Sequence, residues 1–267
     1  MIAPGHRYAL VELASGAGIG VWRLDPTSPN TVGPLNTLPL SLAQVQVVFS
    51  PMGLTAVLYS QSTGRLQTVG NLPQGPLSFQ DYSPLLPNSP LVMAVSDDAQ
   101  RVLLADQTGA VYLLSSGTTS AIVYQSSDIS ALAFIPNRHD AVIADRGRGA
   151  VVLLRELASG PASQIIASST DGIPVPQTVV VTGDGTAALI SDGAQPRIWA
   201  VTFADSRVTM YDAPVVPAHF DRWRNSNTFA ISHASDEIWL LGWADNNAEF
   251  SFVPRERSRP PKERGRR

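Results

Sequence analysis

One pattern recurs along this chain and restricts its fold more than any other feature. The segments "TAVLYSQSTGRLQTVG" from Thr55, "RVLLADQTGAVYLLSS" from Arg101, "DAVIADRGRGAVVLLR" from Asp140, "TAALISDGAQPRIWAV" from Thr186 and "TFAISHASDEIWLLGW" from Thr228 share one layout. Each has a short apolar run, a polar turn and a second apolar run. Their starting points lie 46, 39, 46 and 42 residues apart, and an earlier copy, "RYALVELASGAGIGVWRL" from Arg7, precedes them by 48. Self-similarity at this period marks a repeat architecture, in which each unit covers its apolar faces with its neighbours.

Another short apolar run precedes most copies: "VQVVFSPMG", "LVMAVSDDA", "ALAFIPNRH" and "TVVVTGDGT", from Val45, Leu91, Ala131 and Thr178. A more polar fourth run follows several of them, as in "AIVYQSS", "SQIIASS" and "VTMYDAP". The runs are too short for helices, rich in Val, Ile, Leu and Ala, and bounded by turn residues, so they read as strands. Near-continuous hydrophobicity requires burial on both faces, as in sheets sandwiched between neighbouring sheets of a closed ring. The expectation is all-β: a β-propeller of six four-stranded repeats over residues 1–254, followed by a basic tail at 255–267.

Repeat 1 is irregular, because only "MIAPGH" precedes its second-strand run "RYALVE". It is expected to lack its innermost strand, and a truncated seven-bladed ring is the variant. A strand and export signal upstream of Met1 would make the protein periplasmic or extracellular; otherwise it would be cytoplasmic.

Motifs such as "VLLADQTGAVYLL" and "ALISDGAQPRIWAV" resemble the YVTN and NHL families of bacterial, WD40-like β-propeller repeats. In "SDGAQPRIWAV", Asp192 stands before the turn and Arg197-Ile198 after it, as in the NHL pattern. The resemblance spans Arg7 to Val253 and implies the fold. Propellers host enzymes, scaffolds and receptors alike, so it does not assign a function.

Charged residues form only 15% of the chain, which suits turn-linked strands better than surface helices. No cysteine is present, which removes disulfides, thiolate metal sites and Cys nucleophiles. The tail "RERSRPPKERGRR" carries net +5, leaving −8 on the rest, so the body shows no broad nucleic-acid footprint. Contact with anionic surfaces through the tail is one reading, and a disordered solubilising end is another.

Aligned repeats place Glu12, Ser60, Asp106, Asp145, Asp192 and His233 at one position, the end of the second strand. A ring of oxygen donors at one rim suggests calcium or another divalent ion. Turn capping by Asp is the competing reading and the favoured one, with no cofactor expected. The turn "RGRG" after Asp145 resembles a phosphate loop, but a strand follows it where a phosphate loop needs a helix. Its arginines are expected to be solvated.

Repeat 6 opens on "AHFDRWRNSN", which breaks the apolar pattern with His219, Asp221, Arg222, Trp223 and Arg224. Simple degeneration of a terminal repeat explains this, and a partner-binding anchor is the alternative. Phe79 and Tyr82, in the proline-rich stretch Asn71 to Pro90, are further candidates for a binding surface. No nucleophile elbow is present. The leading expectation is a monomeric, non-enzymatic interaction module for a protein or peptide. The alternative is a six-bladed lactonase- or hydrolase-like enzyme with a metal at the channel mouth.

Overall fold

Short apolar runs punctuated by turns form antiparallel sheets, and six of them follow one another along the chain. In the computed structural model, residues 3, 8–12, 19–23, 34–38, 45–73, 76–83, 90–115, 120–157, 159–223, 226–233 and 238–253 are described. Blade 1 comprises β1 (Tyr8–Glu12), β2 (Ile19–Arg23) and β3 (Pro34–Leu38). Blade 2 has β4 (Val45–Phe49), β5 (Ala56–Ser60), β6 (Arg65–Gly70) and β7 (Ser78–Asp81). Blade 3 has β8 (Val92–Val95), β9 (Arg101–Ala105), β10 (Ala110–Ser115) and β11 (Ala121–Gln125).

Blade 4 has β12 (Ile129–Phe134), β13 (Ala141–Asp145), β14 (Ala150–Arg155) and β15 (Ala162–Ser168). Blade 5 has β16 (Thr178–Val181), β17 (Ala187–Ser191), β18 (Arg197–Thr202) and β19 (Val208–Asp212). Blade 6 has β20 (His219–Trp223), β21 (Thr228–Ser232), β22 (Ile238–Ala244) and β23 (Asn247–Val253). Strands pair in sequence order within every sheet, so each blade is a meander. The molecule is a six-bladed β-propeller. The proline-rich stretch after Asn71 contains the outer strand of blade 2, β7.

The continuous hydrophobicity of the second strands has the expected cause. Every residue of β5, β13 and β17 is buried. Alternate side chains enter opposite interfaces, as strand geometry dictates. Ala56 and Leu58 pack with Tyr8, Leu10 and Val21 of blade 1, whereas Val57 and Tyr59 pack with Met93, Val95, Val102 and Leu104 of blade 3. The next core clusters join blades 3 and 4, 4 and 5, and 5 and 6.

A backbone bond spanning five residues closes the turn from first to second strand. It runs from Ser50 N to Thr55 O, Ser96 N to Arg101 O, Ile135 N to Asp140 O and Thr182 N to Ala187 O, at 2.9–3.0 Å. The same bond joins Ala3 N to Tyr8 O at 3.0 Å. The bond found at this place in blades 2 to 5 is thus present ahead of β1 as well, in a blade whose sheet has three strands among the described residues. The innermost strands β4, β8, β12, β16 and β20 pack in order around the axis. They border a channel of about 670 Å³.

Candidate functional site

The aspartates at the strand ends occupy equivalent places, but their oxygens are held by nearby donors. Asp106 Oδ1 accepts from Thr108 N at 2.8 Å, Thr108 Oγ1 at 2.6 Å and Ala110 N at 3.2 Å. Asp192 Oδ1 accepts from Ala194 N at 3.0 Å and Gln195 N at 2.9 Å. These are caps on their own turns. Glu12 ends β1 opposite Ile19, and Ser60 ends β5 opposite Val45 and Arg65. His233 follows β21. Among the described residues, no three His, Asp or Glu side chains gather around one point.

Asp145 differs from its siblings. Its carboxylate is fully buried, and besides Arg148 N at 2.9 Å it accepts from the Tyr124 hydroxyl at 2.7 Å and the Ser126 hydroxyl at 2.6 Å. Tyr124 belongs to β11 of the preceding blade, and Ser126 follows that strand, so one carboxylate ties blade 4 to blade 3. The Arg148 guanidinium lies 5.3 Å from the Tyr124 ring centroid and donates to its hydroxyl at 3.0 Å. Burial and the adjacent Asp145 carboxylate push the Tyr124 hydroxyl up to about 12.

Arg146 donates to Asp128 Oδ2 at 2.5 Å and to Gln177 Oε1 at 3.1 Å. The arginines of "DRGRG" are thus not simply solvated: they brace the loop against both flanking blades. A Cβ on Gly147 would lie 2.9 Å from Asp128 N, so glycine permits this close docking. The sequence showed no sign of this clamp. Tyr124 and Ser126 lie in a fourth-strand region that varies between repeats.

The irregular run of repeat 6 forms a regular innermost strand. His219 to Trp223 pair in order with Ser232 to Thr228. His219 Nε2 and Asp221 Oδ1 lie 3.5 Å apart, and the hydrogen bond to Asp221 raises the His219 imidazole above its ordinary value. Arg222 reaches beyond its own blade on two sides. It donates to Pro51 O of blade 2 at 2.7 Å and to Val181 O of blade 5. Its guanidinium also lies 5.7 Å from the Phe229 ring centroid. Burial pulls its basicity down, while the more distant Asp97 and Asp184 carboxylates oppose that effect.

The side chain of Trp223, that of Glu12, the whole of Arg224 and the basic tail lie outside the described residues. Phe79, on β7, is 46% exposed. Tyr82 is fully buried between blades 2 and 3, and its hydroxyl reaches Ala99 O and Gln100 O at 3.3 Å, so its ring is core rather than surface. His139 Nε2 lies 2.7 Å from Asp98 Oδ2 of the preceding blade.

Asp97 performs a similar linking task at the opposite rim. Its carboxylate accepts from Met52 N of blade 2 at 2.8 Å and Asn137 N of blade 4 at 2.9 Å. Repeat grammar places the "SDD" segment in a turn but does not reveal these contacts with both neighbours.

No protein-family model matches the chain, and no curated protein is similar to it in sequence. Solved structures share the fold. A functionally unknown protein from Desulfotomaculum acetoxidans DSM 771 superimposes with TM-score 0.64 at 14% identity, covering 93% of this chain and 79% of its own. The Myceliophteria thermophila Cps50 (Swd1) β-propeller domain gives TM-score 0.58 at 13% identity, covering 79% and 68%. The dihydro-heme d1 dehydrogenase NirN, in complex with DHE, gives 0.59 at 16% identity, covering 98% of this chain and 58% of NirN. At these identities the likeness establishes the propeller fold alone. It does not extend to the YVTN or NHL families.

Proposed function

We propose that this propeller is a non-enzymatic interaction module that binds a protein or peptide through its circumference. One observation carries the reading. Each outer strand of blades 2 to 6 exposes a large apolar side chain: Phe79 (46%), Ile122 (58%), Ile165 (57%), Met210 (49%) and Phe252 (48%). Single exposed apolar side chains are ordinary. Their recurrence on the outer strands of five successive blades forms a belt.

The outer strands are also sheet edges, whose outward backbone groups can pair with an added extended segment. Such a segment would gain main-chain hydrogen bonds and cover the apolar side chains together. Ile122 and Ile165 stand on β11 and β15, which neighbour each other across adjacent blades. They are the strongest pair of anchors.

Selection of a displayed peptide library on the immobilised protein tests the reading. It expects one enriched sequence family whose titration is saturable. Affinity should fall about tenfold or more in the Ile122→Ser/Ile165→Ser double variant. Failure to enrich any sequence family refutes the reading, as does binding indifferent to both substitutions.

A further inference from the structure

The axial channel is walled largely by apolar residues, including Val47, Ala94, Leu132, Val179 and Phe220. Its volume of about 670 Å³ falls within the range of small-molecule sites. Among the described residues that line it, Arg222 is the one arginine or lysine, and His219 and Asp221 of the same strand stand on the wall with it, paired with each other at 3.5 Å. Among the described residues no carboxylate lies within 4.0 Å of its guanidinium.

The two carboxylates that act on it from a distance are already engaged elsewhere. Asp97 accepts from Met52 N and Asn137 N. Asp184 accepts from the Thr182 and Thr186 hydroxyls, from Thr186 N and from Asn227 Nδ2. Arg222 itself donates to two backbone carbonyls and touches the Met52 sulfur at 3.8 Å. A guanidinium has five N–H donors, so this arrangement leaves donor capacity and a full positive charge beside an apolar cavity.

A cation in such surroundings loses hydration with no carboxylate in contact and only distant ones to compensate, and an anion entering the cavity would supply the contact. The planar fork of arginine favours a carboxylate, which it can engage through two parallel bonds. Most of the remaining wall is valine, alanine, leucine and phenylalanine, which favours an aliphatic body, and the Asp221 carboxylate on the same wall disfavours a second anionic group. We propose that the channel binds a small amphipathic monocarboxylate, with its carboxylate on Arg222 and its hydrocarbon against the innermost strands. This site is separate from the outer-strand belt, and either can fail without the other.

Calorimetric titration of the intact protein with octanoate, 1-octanol and octylamine tests the proposal. Octanoate should bind saturably at one site per chain, with 1-octanol and octylamine each about tenfold weaker or more. In Arg222→Gln, octanoate affinity should fall to that of 1-octanol, with circular dichroism confirming the fold. Comparison of the three probes on the unaltered protein decides the matter even if that variant fails to fold. Equal binding of octanoate and 1-octanol overturns the proposal. So does absence of saturable octanoate binding, or a folded Arg222→Gln protein that retains full affinity.

Discussion

Replacing Asp145 should cost more stability than replacing its equivalent in the next blade, Asp192. Asp192 is 9% exposed and accepts two bonds, both from its own turn. Its loss resembles loss of a local cap, about 1–2 kcal/mol in Asp192→Ala. Asp145 is 0% exposed and accepts three, two of them from hydroxyls of the preceding blade. Asp145→Ala strands those hydroxyls in a buried site and removes the anion near Arg148. Hydrogen bonds to charged groups contribute about 1.5–3 kcal/mol each and do not add fully, so the expected loss is about 3–5 kcal/mol.

Urea unfolding followed by circular dichroism measures both variants. A cycle pairing Tyr124→Phe with Asp145→Asn isolates the inter-blade part, with an expected coupling of at least about 1 kcal/mol. Equal losses in Asp145→Ala and Asp192→Ala, or strict additivity in the cycle, would refute the assignment of Asp145 as a clamp.

Alkali should weaken the same interface. The Tyr124 hydroxyl titrates at about 12, above the ordinary value of 10, so its contribution is intact below pH 10 and lost as pH rises through 12. Urea midpoints should fall over that window, and the fall should be shallower in Tyr124→Phe. Gly109 has φ +75°, and an added Cβ would lie 2.2 Å from Ser126 O, whereas Gly64 at φ +64° faces open space. Gly64→Ala should therefore cost about 1 kcal/mol and Gly109→Ala about 2–4 kcal/mol, measured by thermal unfolding. His219 should titrate above 6.5 by NMR and return toward that value in Asp221→Asn, because its hydrogen bond to Asp221 is the largest cause of the rise. Its side chain is 64% exposed, so the accompanying change in stability should be small; what there is belongs below pH 6.5 and disappears above the raised value.

The fold was legible because a propeller repeats its burial pattern. Runs such as "TAVLYS" and "TAALIS" must satisfy apolar neighbours on both faces, and a four-stranded unit sandwiched between copies of itself does so. The turn caps at Asp106 and Asp192 followed from the same alignment, since Asp before a turn has a local chemical reason to be there. The inter-blade contacts had no such signal. Tyr124 touches Asp145 across 21 residues, and Asp97 reaches Met52 and Asn137 across 45 and 40. Partners supplied by different repeats leave no mark on the period, because the period records only what the repeats have in common. Tyr82 fails for a related reason: a proline-rich stretch suggests a surface loop, yet its tyrosine fills the space between two blades.

The two departures from the repeat, in the first and last blades, meet at the axis. Blade 1 has the Ala3 N to Tyr8 O bond ahead of β1 and three described strands, so among the described residues no innermost strand stands between β20 and β4. The cation of "HFDRWRN" extends from β20 and bonds Pro51 just beyond β4 as well as Val181 at the end of β16. An apolar residue at position 222, as repeat grammar would place there, has no donor for either carbonyl. The sequence irregularity of repeat 6 is therefore better explained as a contact between blades that repeat grammar would not bring together than as decay of a terminal copy. Arg222→Leu separates these accounts. Decay expects a neutral or stabilising change, since an apolar residue would restore the pattern. The bridging role expects loss of two hydrogen bonds from a charged donor, a destabilisation of about 2–4 kcal/mol in urea unfolding.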